Sequence, residues 1–314
     1  MTNNLTTIDD AKYINIKYSS QSTVLDYISL LKPRVMSLVI FTAISGLLLA
    51  PGKIHPFTAF ASILFTSLGA GAAGAFNMWY EKDLDSLMDR TKNRALVRGV
   101  IEESDAFAFA LILSAISLIG MCVCVNIVAA TLLLISILFY VVIYTILLKT
   151  STDQNIVIGG ASGAFPPLIG WVSSTGTIDI DPVILFLIIF LWTPPHFWAL
   201  SLYKSEDYKK ASIPMLPIIR GIRSTKNHII FYTILMSIST FLPLFTGLCG
   251  LYYLISACIL NFYFIVLSLR LSLESGIKNA PKLFGYSIIY LFGIFGFMVI
   301  DKLSIFTFLF YQLA

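Results

Sequence analysis

Three oxygen-bearing side chains recur four residues apart in the segment NMWYEKDLDSLMDRTKNR: Asn77, Glu81 and Asp85. On an α-helix a step of four turns the chain by about 40° and raises it about 6 Å, so the three line one stripe. Asp89 would extend the stripe by one more turn, whereas Asp83 points elsewhere. Hard oxygen donors without histidine or thiolate suit Mg2+, best where phosphate oxygens complete the octahedron, and Mn2+ accepts the same donors. Arg90, Arg94 and Arg98 follow, again at intervals of four. Carboxylates that hold a divalent ion beside guanidinium groups are what a diphosphate site requires. The spacing alone also fits a solvated helix end laced with i,i+4 salt bridges.

A second cluster of acids and bases lies in WTPPHFWALSLYKSEDYKKASIPMLP. Tyr203 and Asp207 are four apart, with Lys204 and Glu206 beside them. Upstream, Pro194 and Pro195 interrupt an apolar run and His196 follows directly, with Trp198 two positions on. A proline pair frees carbonyls and bends a helix. An ionisable residue in such a run is a candidate site, although a satisfied core histidine fits equally well. Lys32 and Arg34 in LKPR, and Lys149, Gln154 and Asn155 in LLKTSTDQNIVIGG, stand at the ends of other apolar runs. Headgroup anchoring and anion binding are both open to them.

These side chains need helices to hold them, and the composition says in what solvent. The chain has 314 residues, 57% hydrophobic and only 12% charged, with mean hydropathy +0.86. Apolar runs of about 20 residues recur without strand-like alternation, which points to an all-α polytopic membrane protein and argues against a barrel. Nine spans are expected, near residues 35–51, 56–80, 105–124, 127–147, 154–173, 182–203, 229–248, 251–270 and 284–310. With the N-terminus inside, all of the 21 lysines and arginines except Lys53 and Lys302 fall on the inner side, a strong positive-inside bias. Both acid-and-base clusters then sit at inner mouths, after spans 2 and 6. Residues 1–30 read as a polar cytoplasmic tail without a signal or transit peptide, which favours a bacterial inner membrane, and residues 31–314 as one transmembrane domain. Cys122, Cys124, Cys249 and Cys258 lie inside apolar runs and read as small core residues. Small residues at 69–75 and 159–164 suggest close helix packing, or room for a bulky ligand.

Taken with these features, NMWYEKDLDSLMDRTKNRALVRG resembles the signature of the intramembrane prenyltransferases of the UbiA-like superfamily. The matching positions are Asn77, Glu81, Asp85, Arg90, Thr91, Arg94 and Gly99. LKPRV, QNIVIGG, GAFPPLIGW, WTPPHFWAL and YKSEDYKKASIPMLP are similar to its heme-farnesylating branch. The likeness runs from Leu31 to the last span. It implies nine helices around a central cavity, and transfer of the farnesyl group of farnesyl diphosphate to a vinyl carbon of heme B, with water added, to give heme O.

Carried over position by position, the resemblance places Asn77, Glu81 and Asp85 at the first acidic motif and Tyr203 and Asp207 at the second. Mg2+ falls to Asn77, Glu81, Asp85 and Asp207. On this reading Lys32, Arg34, Arg90, Arg94, Arg98, Lys149 and Lys204 are the candidate diphosphate clamps, and His196 and Trp198 the candidate heme residues, with His196 open either to ligate the iron or to bond a propionate. Besides these substrates, the expected partners are membrane lipids and a heme-modifying enzyme or terminal oxidase; nucleic acid is not expected. Many quinone-type relatives carry Asp at the position of Tyr203, which weakens a second metal site here. Ala95 stands where Pro is common and Ser212 where Gly is common. A quinone-precursor acceptor is the nearest rival. A transporter fits less well, because the charges gather at one face and not at the midplane.

Overall fold

The computed structural model describes residues 22–313, with side chains through Ser304, so most of the expected tail lies outside the described residues. Every regular element among the described residues is helical. The described end of the tail is itself a helix, α1 (Val24–Leu30), closed by a reciprocal Thr23–Asp26 capping box. It meets α2 (Pro33–Leu49) at a 58° bend. Lys32 sits in that bend with φ 53°, and Pro33 opens α2 where its missing N–H costs nothing.

The chain continues with α3 (Pro56–Tyr80), α4 (Lys82–Leu87), α5 (Glu103–Cys124) and α6 (Ile127–Leu138), which runs on as a π-helical stretch over Phe139–Leu148. Then come α7 (Asn155–Gly159), α8 (Ala161–Thr175), α9 (Ile180–Tyr203), α10 (Ser205–Lys210) and α11 (Leu216–Ile219). The last elements are α12 (Gly221–Ser239), α13 (Leu242–Phe245), α14 (Leu251–Leu273) and α15 (Ala280–Leu313). Among the described residues eight helices are long and apolar enough to cross a membrane, and up to nine if the bent α1–α2 pair is one span. Two starts differ from expectation. α12 begins at Gly221, not near 229, and α15 at Ala280, not near 284. In both, polar residues continue the helix beyond its apolar part, which hydropathy does not register.

Helices pack largely in sequence order, α2 on α3 and α8, α8 on α9, α9 on α12, α12 on α14 and α14 on α15, and α15 returns to both α2 and α9. α2 and α8 cross backbone against backbone. A Cβ on Gly46 would collide with the Pro167 carbonyl oxygen, and one on Gly170 with that of Ala43. Backbone approach of this kind is how helices associate where lipid removes the hydrophobic drive between them. The small residues of α3 and α7 are likewise used for packing, Gly69 against Leu133 and Gly159 against Tyr144. The cysteines are unpaired, and contrary to the core reading Cys122 and Cys258 are exposed; Cys249 is buried.

Candidate active site

α3 is not continuous through the first acidic motif. It ends at Tyr80, Glu81 forms a break (φ −96°, ψ 13°), and α4 resumes at Lys82. The i→i+4 backbone bonds nevertheless pass through the break, from Glu81 N–H to Asn77 O at 3.0 Å and from Asp85 N–H to Glu81 O at 2.8 Å. Asn77, Glu81 and Asp85 therefore keep their common stripe, and all three are buried, at 3%, 2% and 1% exposure.

Each of the three is held by a cation from a different element. The Lys32 amine, in the α1–α2 bend, donates to Asn77 Oδ1. Lys149, just past the π-helical stretch, donates to Glu81 Oε2 at 2.5 Å. Arg94 pairs with Asp85 Oδ2. Asn77 also donates through Nδ2 to Thr145 Oγ1 at 3.0 Å, and the Thr91 hydroxyl donates to Asp85 O at 2.9 Å. Lys32 lies near the Tyr140 ring, 5.8 Å from its centroid. Asn155, which donates to Lys149 O at 3.1 Å, steadies the turn that delivers Lys149.

The expected stripe stops at Asp85. Met88 is extended (φ −101°, ψ 130°), so α4 ends and Asp89 leaves the stripe for the surface. There it accepts from Lys92 at 2.6 Å and from Lys210 at 2.7 Å. The Lys210 and Lys92 bonds hold the Asp89 carboxyl below the usual carboxylate range, at about 2. The three arginines fan out instead of sharing a face: Arg94 turns to Asp85, Arg98 stands 3.9 Å from Asp26, and Arg90 lines an open cleft. Arg34 is exposed at the start of α2.

The second motif repeats the construction of the first. α9 ends at Tyr203, Lys204 forms the break (φ −111°, ψ 19°), and the six-residue α10 follows. Tyr203, Lys204, Glu206 and Asp207 meet Asp89 and Arg90 around a cleft of about 370 Å³. The Lys210–Asp89 pair spans the two motif loops beside it. Asp207 thus faces this cleft and not the buried carboxylates: among the described residues no three of His, Cys, Asp and Glu gather as a metal cage.

His196 and Trp198 lie on different sides of α9. His196 faces α15. Trp198 is fully buried against His228 and Tyr232 of α12. Those two residues, with Gln154, Arg220, Asn227 and Phe231, line a second cleft of about 600 Å³. Arg220 there is held by Asp153, whose carboxyl it lowers. Thr145, Tyr140, Phe284 and Ser287 were not anticipated from the sequence. The spacing of Tyr140, Tyr144 and Lys149 in one run was a usable signal; Ser287 and Phe284 carried none.

Two buried carboxylate oxygens, Glu81 Oε1 and Asp85 Oδ1, have no hydrogen-bond partner among the described residues. Unsatisfied buried carboxylate oxygen is costly unless something binds it. A hard divalent ion fits this pair of donors, with phosphate oxygens filling the remaining positions.

Residues 38–294 match the UbiA prenyltransferase family, and the chain belongs to it. Among its relatives, a protoheme IX farnesyltransferase of Rickettsia bellii (strain OSU 85-389) is 49% identical over 287 residues, 90% of this chain and 96% of that one. Another, from Orientia tsutsugamushi (strain Ikeda), is 52% identical over 280 residues, 89% of this chain and 90% of that one. A solved structure of digeranylgeranylglyceryl phosphate synthase superposes with TM-score 0.76 at 21% identity, over 89% of this chain and 98% of that one. A UbiA homolog from Archaeoglobus fulgidus bound to GPP and Mg2+ gives 0.61 at 14% identity, over 87% and 99%. At those identities the two structures establish the fold.

Proposed function

We propose that the chain transfers the farnesyl group of farnesyl diphosphate to a vinyl carbon of heme B, with addition of water, giving heme O and diphosphate. The observation that carries the diphosphate half is the trio Asn77, Glu81 and Asp85, each held by a separate cation while two carboxylate oxygens stay free. The acceptor follows from relatives about half identical over nine-tenths of the chain, each named a protoheme IX farnesyltransferase. The positive-inside pattern supports a site at the cytoplasmic face with the N-terminus inside, and the bacterial sources of the relatives support an inner membrane.

Glu81 and Asp85, with Asn77 assisting, would hold Mg2+, which when bound neutralises charge on the leaving diphosphate, while Asp207 lines the facing cleft. The remaining work belongs to the side chains. Lys149 and Arg94 are donors already aimed at the carboxylates and Lys32 at the Asn77 amide oxygen, and all three would turn to a diphosphate arriving beside them. Arg90 and Lys204, from the facing cleft, bring positive charge to its other oxygens, where charge grows as the C–O bond breaks. Tyr203, packed edge-on to Phe284 at 6.0 Å, offers a π face to an allylic cation and keeps water from it. The vinyl group then attacks, and water supplies the hydroxyl on the adjacent carbon.

The deciding experiment is mass spectrometry of hemes after incubating purified protein with heme B, farnesyl diphosphate and Mg2+. A heme heavier by one farnesyl group and one water supports the proposal. Unchanged heme from folded, metal-loaded protein overturns the acceptor and turns attention to quinone precursors.

A further inference from the structure

His196 lies two helical turns deeper in α9 than Tyr203 and on the same face, since seven residues return a helix to within about 20°. Its ring is stacked between Trp192, at 4.2 Å and 20°, and Phe284 of α15, at 4.6 Å and 27°. Phe197 meets it edge-on at 5.0 Å. Because Phe284 also touches Tyr203, one aromatic column runs from the diphosphate cleft down to this imidazole.

Stacking fixes the plane of the ring, and Ser287 fixes what lies in it. Ser287 Oγ is 2.5 Å from His196 Nδ1. A serine hydroxyl has one proton, and Ser287 donates it to the Phe284 carbonyl at 2.6 Å. Toward the imidazole Ser287 is therefore an acceptor, which puts the ring proton on Nδ1 and the lone pair on Nε2. The Ser287 carbonyl also accepts the Trp192 indole N–H at 2.8 Å, so one fully buried residue anchors both the imidazole and a face stacked on it. Nε2 has no hydrogen bond among the described residues, and His196 keeps 8% exposure.

We infer that Ser287 is a positioning residue that holds His196 as the Nδ1–H tautomer and so presents Nε2 as an axial ligand to the iron of the heme acceptor. The inference rests on the heme reading above and assigns one residue's part in it. Among the described residues aromatic rings and a hydroxyl meet the imidazole and no ion pair includes it, so a proton taken at Nε2 would create an unpaired charge in dry surroundings. Iron coordination asks instead for a neutral imidazole whose other nitrogen donates to a fixed acceptor.

The test is titration of the full chain, in nanodiscs, with ferric heme B, followed by absorption and, after reduction, by the Fe–His stretch in resonance Raman. Wild type is expected to give a histidine-ligated spectrum that His196→Ala loses and added imidazole restores. Ser287→Ala is expected to bind heme about 10-fold to 100-fold more weakly, with a lowered Fe–His frequency, and Ser287→Thr to restore both. Ser287→Cys, similar in shape but a weak acceptor, covers a failure of Ser287→Ala to fold. Unchanged affinity and frequency in the Ala and Cys variants overturn the role of Ser287. A histidine-ligated spectrum from His196→Ala overturns the ligand. Both of those results leave farnesyl transfer to heme standing, whereas absence of heme binding by wild type overturns the inference and the acceptor reading together.

Discussion

Lys149 closes on Glu81 at 2.5 Å, across 68 residues of sequence, with both side chains almost wholly buried. The other Glu81 oxygen has no hydrogen-bond partner among the described residues. The lysine thus neutralises a carboxylate that a divalent ion would also claim, and the two cations compete for it. Lys149→Met should uncover Glu81. Breaking a buried pair costs about 3–5 kcal/mol, so the variant's melting temperature should fall and Mg2+ alone should recover much of the loss. Diphosphate affinity should fall at the same time. Thermal unfolding with and without Mg2+ measures the first effect, and a variant indifferent to Mg2+ would remove Glu81 from the metal site.

Glu81→Ala and Asp85→Ala should each lower turnover by at least about 10²-fold to 10³-fold, the scale of losing an electrostatic partner of a transition state. Far-UV circular dichroism should remain that of a helical bundle. Turnover like wild type in either variant would sink the assignment of these two carboxylates.

The Asp89–Lys210 pair bridges the two motif loops at 2.7 Å. Asp89→Asn should raise KM for the diphosphate several-fold with little change in melting temperature, because the pair is exposed. The sign with pH follows from the depressed folded value of Asp89, about 2 against an ordinary 3.8. What the bridge contributes is complete above the ordinary value and is lost as pH falls toward the folded one. Between pH 5 and 9 wild type and variant should therefore keep a constant ratio, which parallel pH–rate profiles would check.

Ser212 adopts φ 53°, a left-handed conformation that a Cβ disfavours by about 1–2 kcal/mol. Glycine removes that strain but adds freedom to the unfolded chain, worth about 0.4–1 kcal/mol in the other direction. Ser212→Gly should therefore stabilise by about 1 kcal/mol or less at unchanged kcat. A lowered melting temperature would mean that the hydroxyl, not the backbone, governs this turn.

Gly46→Ala and Gly170→Ala each place a methyl group into facing backbone at the α2–α8 crossing. Backbone cannot rotate away as a side chain can, so each should destabilise by about 1–3 kcal/mol or more. Gly163, where an added Cβ meets nothing within 4 Å, is the control. Equal melting temperatures for the three alanine variants would contradict the close crossing.

Much of the architecture was legible before any coordinates. Long apolar runs and the one-sided distribution of Lys and Arg led to spans whose bounds agree closely for α3 and for α6 with its π-helical continuation, because in lipid the backbone must satisfy itself within each helix. The Asn77, Glu81 and Asp85 stripe was legible for the same reason: it depends on local backbone bonds, and these survive even the break at Glu81. The four-residue spacing of Arg90, Arg94 and Arg98 gives them no shared face, because spacing does so only inside a helix, and Met88 ends the helix before any of them.

By itself the sequence determined the class of solvent, the number and kind of spans, and which residues sit together along one helix. All of these follow from local hydropathy and the 3.6-residue period. Only the tertiary structure decided which cation meets which acid: Lys32 on Asn77, Lys149 on Glu81, Lys210 on Asp89. It alone brought Ser287 and Phe284 of α15 to His196 of α9. The partners in these pairs lie 45 to 121 residues apart, and their meeting depends on how packed helices set depth and rotation against one another, which no local pattern encodes.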